Sequence, residues 1–437
     1  MKSNAIVDRI NSFVNLLPKK TYDRPQKKFI RELIAGIFIA QSTIMTEICR
    51  ALSGNNKSFK ASYKRLGRRL GEVDLTPAMA AQQTRALREI QDDTVIAIDI
   101  GDVAKPNAKV MECLGKVADG SDKHKIKPGY WLISAVAVNP RLREKTPEPL
   151  ELKMWSSESE QFLSENDVLK QTISFISLNA DYRGIHVIDR GGDRGIILNH
   201  YFDMPEQKFI IRMNNRHLTN TDSLVTWRTG RRARTRSELS FESAIQRESA
   251  MHDRKRAIMH LRYDYEPVKV TAIKGSEDHK LFLITAWNET SARPMELLTS
   301  IPITSSEQAL QIVINYLSRW SVEETYRFLK TGSGLEGMRY FSYGALQNIT
   351  KACFIVASLL ARMAKFSSWQ ALFCRVALRV KDAPNELYNW FYRASDACAK
   401  LLKRHLSELM AHNEPVLHNR RRRGPYQPSL FPEEVGL

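Results

Sequence analysis

Two short apolar runs in this chain each end in an aspartate, and this pattern limits the fold more than any other feature. Residues 94–102 read Thr-Val-Ile-Ala-Ile-Asp-Ile-Gly-Asp, and residues 184–189 read Gly-Ile-His-Val-Ile-Asp. Runs of this length and composition predict buried β-strands. Because α/β sheets hold ligands and metals at the ends of their strands, Asp99 and Asp189 are candidate functional acids.

The region around these acids alternates between strand and helix. The predicted order is a strand, a meander of two more strands, a helix, the second acid-bearing strand, another helix and a final strand. The predicted strands after the first cover residues 129–138, 150–155, 184–188 and 208–213, and the predicted helices cover residues 164–178 and 194–201. This alternation predicts an α/β fold.

A single amphipathic helix is predicted over residues 310–330. At about 100° per residue, five polar side chains share a stripe about 80° wide. They are Tyr316, Arg319, Glu323, Arg327 and Lys330. A carboxylate surrounded by basic groups and a phenol suits metal-assisted phosphoryl transfer, because the carboxylate can hold a cation while the other groups hold phosphates. The alternative is a solvated helix face with i,i+4 ion pairs.

The spacing of four of these residues resembles a family signature. The pattern Tyr316-x2-Arg319-x3-Glu323-x6-Lys330 is similar to that of the DDE transposases of bacterial insertion sequences, in the group named for its Tyr-Arg-Glu-Lys motif. Two surrounding segments also resemble that family: Arg-Trp-Ser-Val-Glu-Glu at residues 319–324 and Leu-Lys-Thr-Gly-Ser-Gly at residues 329–334. The resemblance covers residues 94–366 well and the N-terminal helices only loosely.

The resemblance implies a ribonuclease-H-like catalytic domain, with the first two acids on adjacent strands. It implies that Asp99, Asp189 and Glu323 are both the catalytic acids and the metal ligands. Without nearby Cys or His, three carboxylates favour Mg²⁺ or Mn²⁺, and two ions per active site are expected. By analogy Asp99 bridges both ions, while Asp189 and Glu323 each hold one. The phosphate-binding residues are expected to be Tyr316, Arg319, Arg327 and Lys330.

The sequence departs from the family pattern in three places. Relatives usually have Asp-Arg-Glu after the second strand, whereas here Asp189 is followed by Arg-Gly-Gly-Asp, so Asp193 competes with Asp189. Asp99 is followed by Ile100 and Gly101, where relatives often carry a small hydroxyl residue, and Asp102 competes with Asp99. Relatives also carry a Trp before the Leu-Leu-Thr run that stacks on a flipped base. Here the alternatives are Met295 or Trp287, which leaves base flipping an open question.

The chain carries a large excess of basic residues, with a formal net charge of +18 over 437 residues. Such an excess favours a polyanionic partner, nucleic acid first and an anionic membrane second. No apolar run is expected to reach the roughly 18–20 residues of a membrane span. The five cysteines are scattered, which indicates neither a zinc site nor a disulfide framework. A cytoplasmic, DNA-binding protein is therefore expected, with no membrane partner.

Two basic segments are candidates for DNA contact. In a predicted helix over residues 58–70, Lys60, Lys64 and Arg68 are spaced i, i+4, i+8, as in a helix–turn–helix with a basic outward face. The long gap before Glu323 predicts an insertion with an arginine-dense middle, which in the family is mainly β and touches DNA. Its candidate residues are Arg231, Arg232 and Arg234, flanked by Arg228 and Arg236. The alternatives are a three-helix bundle with a lysine-rich surface and a solvated basic loop.

The predicted organisation has six parts. They are a helical DNA-binding domain (1–90), the first part of the catalytic domain (91–213), a β-rich basic insertion (214–305), the second part of the catalytic domain (306–368), a helical C-terminal region (369–415) and a basic tail (416–437). The family resemblance implies a cut-and-paste transposase that binds terminal inverted repeats and target DNA, and that is a homodimer in the DNA complex. The alternatives are a structure-specific nuclease on the same fold and a non-catalytic DNA-binding repressor.

Overall fold

The computed structural model describes residues 4–53, 59–119, 122–138, 147–214, 218–220, 235–241, 257–270, 279–288, 294–377 and 390–411. Five helices precede the first strand. They are α1 (Ala5–Leu16), α2 (Arg24–Ala40), α3 (Met45–Ser53), α4 (Phe59–Glu72) and α5 (Thr76–Arg88). The α2 helix begins at a capping box, in which the Asp23 side chain accepts a hydrogen bond from the Gln26 amide at 2.7 Å.

The strands and the remaining helices follow in chain order. The strands are β1 (Val95–Ala104), β2 (Gly115–Asp119), β3 (Asp122–Val138), β4 (Glu148–Trp155), β5 (Ile185–Ile188), β6 (Lys208–Arg212), β7 (Leu218–Asn220), β8 (Thr235–Phe241), β9 (Ala257–Val270), β10 (Leu281–Asn288) and β11 (Met295–Thr299). The helices are α6 (Glu165–Asn179), α7 (Gly195–Phe202), α8 (Ser306–Leu317), α9 (Trp320–Arg327), α10 (Tyr343–Ala364), α11 (Ser367–Ala377), α12 (Trp390–Arg404) and α13 (Leu406–Ala411). The protein is a mixed α/β structure, as predicted.

One sheet joins all the described strands, in the order β2-β3-β1-β5-β6-β11-β10-β9-β7, with β4 paired to β3 and β8 paired to β9. The β1, β5 and β6 strands are parallel, and the other pairs are antiparallel. The strands of the predicted insertion extend this sheet, because β11 pairs with β6 through Leu298 and Ile211. The two acid-bearing strands, β1 and β5, lie side by side near the middle of the sheet.

The β9 strand is continuous from Ala257 to Val270 and passes through Pro267. Proline cannot donate a ladder hydrogen bond and is confined to strand edges. In the described part of the sheet, β8 pairs with β9 as far as Tyr263 and β7 pairs with it from Val268. Pro267 therefore lies where one edge of β9 has no described neighbour.

Each face of β1 packs against a different set of helices, because successive strand side chains point to opposite faces. Ala97 and Val103 join a core formed by helices α1–α5, α10 and α12. Ile96 and Ile98 join a second core with residues of α6 and α7. The N-terminal helices therefore share one hydrophobic core with the sheet that carries Asp99.

The α10 helix departs from the expectation that no apolar segment is long enough to span a membrane. Its 22 residues, Tyr343–Ala364, pass the length and hydropathy tests for a span, and 83% of the apolar window is buried inside the protein. The α2 and α3 helices pass the same test only as a pair, bent by 94°. A helix that is apolar on all sides also suits the centre of a core. Here α10 packs on β4 and on the N-terminal helices.

Candidate active site

Asp99 and Asp189 lie side by side on the sheet. Ile98 pairs with Ile188 in the parallel ladder of β1 and β5, and each aspartate is the next residue along the chain. Asp189 follows the end of β5 as predicted, whereas Asp99, which was predicted to end its strand, lies within β1, because β1 stays paired with β3 as far as Ala104. Neighbouring strands are about 4.8 Å apart, so the two carboxylates start from adjacent positions. Asp189 also caps the 3-10 turn that follows β5, where its side chain accepts a hydrogen bond from the Gly191 amide at 2.8 Å.

The two competing aspartates are engaged elsewhere. The Asp193 side chain accepts a hydrogen bond from the Asn214 amide at 2.7 Å. The Asp102 carboxylate lies 3.3 Å from Lys330 Nζ. The electrostatic neighbours that shift the Asp99 pKa are instead Arg319, Asp189 and Glu323.

The segment predicted as one helix over residues 310–330 consists of two helices and a turn. The α8 helix ends at Leu317, α9 covers Trp320–Arg327, and a π-helical turn covers Phe328–Gly332. At the break, the Ser318 hydroxyl donates to the Ile314 carbonyl at 3.0 Å. Serine competes for the backbone groups of a helix in this way, and such bonding often bends a helix.

The break changes which residues of the predicted polar stripe meet. Arg319 lies at the break and Glu323 lies on α9, with Arg319 Nη2 and Glu323 Oε1 2.8 Å apart. Arg319 Nη1 also lies 3.7 Å from Asp99 Oδ2. The guanidinium carbon is 5.9 Å from the centre of the Tyr316 ring, close enough for a cation–π contact. Lys330 lies away from this group and contacts Asp102.

Tyr316 is buried, whereas the stripe predicted a polar face. Its side chain packs with Ile312 and Val313 of α8 against the strands, because α8 covers that face of the sheet. The Tyr316 hydroxyl and the Arg319 Nε have no hydrogen-bond partner within the described structure. Buried polar atoms of this kind call for a partner, and the Tyr316 and Arg319 side chains lie in contact with each other.

The charges of the site affect one another. Burial raises the pKa of Asp99 to about 7, and although Arg319 opposes this change, Asp189 and Glu323 add to it. The pKa of Arg319 is raised: burial lowers it, but Tyr316 and the three acids together outweigh the burial. The Asp99 carboxylate is therefore close enough to Asp189 and Glu323 to be repelled by both, and Arg319 is the counter-charge of the three acids.

The donor set suits a hard divalent cation, since it consists of carboxylate oxygens. However, the three carboxylates do not converge on one metal position. Across the described ranges, no group of three or more His, Cys, Asp or Glu side chains is placed to hold a metal ion. The Glu323 carboxylate is 45% exposed and pairs with Arg319. The three acids fit a metal by their chemistry, and one oxygen of the Glu323 carboxylate is paired with Arg319.

Two residues at this site were not identified from the sequence. The Tyr326 hydroxyl on α9 donates to the Asp99 backbone carbonyl at 2.8 Å. Lys105, just beyond β1, is buried, and burial lowers its pKa to about 8. Its ammonium donates to the carbonyls of Glu336 and Met338 and so ties the segment after the π-turn to the end of β1. Neither contact has a local sequence signal, because both join distant parts of the chain.

The predicted DNA-contact residues are only partly described. Lys60, Lys64 and Arg68 are exposed on α4, and Arg68 lies 3.6 Å from Glu72. Arg327 is exposed on α9. Arg231, Arg232 and Arg234 lie outside the described residues, as do Arg228 and the basic tail.

The two candidates for base stacking lie at the same end of neighbouring strands. Met295 pairs with Ala286 in the antiparallel ladder of β11 and β10, and Trp287 is the next residue of β10. Paired residues point to the same face, so Met295 and Trp287 point to opposite faces of the sheet. Met295 packs with the core under α8. Trp287, on the other face, is partly exposed.

No protein-family model matches this chain, and no curated protein sequence matches it significantly. Among solved structures, the chain is similar to a piggyBac transposase, determined by cryo-EM as a synaptic complex with hairpin DNA. The sequence identity is 11% and the TM-score is 0.41, with 99% of this chain and 85% of that chain covered. Similarity at this level does not assign a function, so the function is argued from the chemistry of the site.

Proposed function

We propose that this protein is a DNA transposase of the DDE class. It binds the terminal inverted repeats of its element, cleaves the strands at the element's ends and joins the 3′-ends to target DNA. The observation that carries the proposal is the grouping of Asp99, Asp189 and Glu323, from β1, the end of β5 and α9, around Arg319. The Tyr-Arg-Glu-Lys spacing supports the same reading.

Asp99, Asp189 and Glu323 would hold two Mg²⁺ or Mn²⁺ ions. When bound, such ions activate the attacking oxygen and stabilise the leaving oxygen of a phosphodiester. Arg319 would bind a phosphate oxygen, because its guanidinium matches phosphate geometry and lies beside Glu323 and Asp99. The Tyr316 ring supports that guanidinium from one side.

Lys330 has a different role in this proposal from the phosphate contact implied by the family resemblance. Its ammonium lies 3.3 Å from Asp102 and 3.9 Å from Glu336, so it ties the π-turn after α9 to β1. This ion pair holds the end of α9 against the strand that carries Asp99. Arg319 is therefore the main phosphate-binding residue on this side of the site.

The α4 helix would provide much of the sequence-independent DNA contact. Lys60, Lys64 and Arg68 are exposed along it, whereas Arg65 lies 2.6 Å from the buried Glu32 carboxylate and has a structural role. The protein would form a homodimer in the DNA complex and would have no membrane partner.

The test is a cleavage and joining assay with the inverted repeats that flank the coding region. We expect Mg²⁺-dependent nicking at the ends of duplexes that contain these repeats, and joining of pre-cut 3′-ends to a target plasmid. Cleavage that depends on DNA structure rather than on repeat sequence would favour the nuclease alternative. Tight repeat binding without cleavage in either Mg²⁺ or Mn²⁺ would favour the repressor and contradict the proposal.

A further inference from the structure

The contact between Tyr326 and Asp99 joins two of the three acids indirectly. Tyr326 lies three residues after Glu323 on α9, and side chains at that spacing are neighbours on one helix face. Its hydroxyl donates to the Asp99 backbone carbonyl at 2.8 Å and lies 3.3 Å from the Leu132 carbonyl on β3. The helix that carries Glu323 is therefore attached at the residue that carries the first acid.

The strand leaves space for the Tyr326 ring. The ring is 7% exposed and lies over Gly101, two residues after Asp99 and on the same face of β1. A Cβ atom at Gly101 would lie 3.3 Å from two carbon atoms of this ring, which is tighter than an ordinary contact. A side chain at position 101 would therefore require the Tyr326 ring to shift by a few tenths of an ångström.

The Tyr326 hydroxyl is the donor in this contact, because a backbone carbonyl can only accept a hydrogen bond. The Val322 side chain, on the same helix, is fully buried in the same core. Apolar packing of this kind holds α9 against the sheet without fixing its position along β1, whereas a hydrogen bond has a defined length and direction.

We infer that Tyr326 is a positioning residue for strand cleavage: its hydroxyl docks α9 on β1 and sets the distance between Glu323 and Asp99. The inference rests on the proposed function of these acids. Tyr326 itself does not touch the DNA or the metal in this role. Its effect should appear in the reaction rate and in metal binding, because both depend on the separation of the two carboxylates.

The test compares Tyr326→Phe with Tyr130→Phe. Tyr130 is a matched control, because it is fully buried and its hydroxyl donates to a single backbone carbonyl, that of Glu112, at 2.7 Å. For each variant we would measure the melting temperature, the Kd for a terminal-repeat duplex, the Mn²⁺ affinity by calorimetry, and the single-turnover cleavage rate at saturating DNA and Mg²⁺.

We expect both variants to lose similar thermal stability and to keep the wild-type DNA affinity. Only Tyr326→Phe should cleave more slowly, by about tenfold or more, since a misplacement of about 1 Å can cost about a hundredfold in rate. It should also bind Mn²⁺ more weakly. Gly101→Ala tests the same contact from the strand side and should give the same losses. Combined with Tyr326→Phe, its effect should be smaller than the sum of the two, because both changes act on one contact.

Equal cleavage rates and Mn²⁺ affinities for Tyr326→Phe and Tyr130→Phe, with an active wild-type protein, would overturn the inference and leave the proposed function standing. A loss of cleavage rate that a higher DNA concentration fully restores would overturn it as well. A wild-type protein that neither cleaves nor binds Mn²⁺ would instead remove the proposed function, and the inference with it.

Discussion

The guanidinium of Arg319 lies 2.8 Å from the carboxylate of Glu323, and its other terminal nitrogen lies 3.7 Å from Asp99. Two of the three acids of the site are therefore paired with a positive charge that belongs to the protein. A metal ion that binds these acids must compete with this charge. The Arg319 side chain is 11% exposed, so solvent screens the competition only weakly.

The first prediction follows from this competition. Arg319→Gln should increase the Mn²⁺ affinity of the DNA-free protein several-fold, because it removes a cation from beside the metal ligands. The same variant should lose strand cleavage, since the phosphate contact is lost with the charge. Arg327→Gln is the control, as it removes the same charge from the exposed face of α9. Calorimetric titration with Mn²⁺ measures the effect, and an affinity equal to that of the wild type would contradict it.

The second prediction concerns pH. The pKa of Asp99 is raised from its ordinary value of 3.8 to about 7 in the folded protein. Burial is the main cause, Asp189 and Glu323 raise the pKa further, and Arg319 lowers it. The folded state thus binds more protons than the unfolded state between these values. The Asp99 contribution to the free energy of unfolding is fully present below about pH 4 and is lost as pH rises to about 7.

Asp99→Asn cannot ionise and should not show this loss. In EDTA, the melting temperature of the wild type relative to Asp99→Asn should fall between about pH 4 and pH 7 and then stay level. Millimolar Mg²⁺ at pH 8 should raise the melting temperature of the wild type but not that of Asp99→Asn. Parallel melting curves for the two proteins across this range would show that Asp99 titrates normally.

The third prediction concerns Glu323. Glu323→Gln keeps the size of the side chain but removes the charge that a metal needs, so strand cleavage should fall below detection. Binding to terminal repeats should remain, and the Mg²⁺-dependent gain in melting temperature should shrink. The same substitution at Glu307, on the exposed face of α8, is the control. Wild-type cleavage by Glu323→Gln, on pre-cut or uncut ends, would remove Glu323 from the catalytic site.

The fourth prediction concerns α4. Replacing Lys60, Lys64 and Arg68 with Ala should weaken binding to repeat DNA and flatten the salt dependence of the Kd by up to about three charges' worth. A triple Ala variant of Lys400, Lys403 and Arg404 removes the same net charge from the exposed part of α12. If both triple variants change the salt slope equally, the effect reflects net charge and α4 is not a specific contact.

Much of the architecture could be predicted from the sequence, because it depends on local patterns. The apolar runs before Asp99 and Asp189 form β1 and β5, and the helix predicted over residues 164–178 is α6, Glu165–Asn179, capped by Ser164. The spacing of apolar residues, every second residue in a strand and every third or fourth in a helix, determines where such elements form. The same local spacing placed Arg319 and Glu323 one helical turn apart, and the structure has them in contact.

Only the tertiary structure decided how these elements meet. The hydrogen bond from Tyr326 to the Asp99 carbonyl joins residues 227 positions apart, and the bond from Lys330 to Asp102 spans 228 positions. The α8 and α9 helices, on either side of the break at Ser318, pack in two different hydrophobic cores. Local spacing determines which side chains share a helix face or a strand end. The partner that each of them meets is set by long-range packing and by burial, which change the energy of a charge or a hydroxyl in ways that no local pattern records.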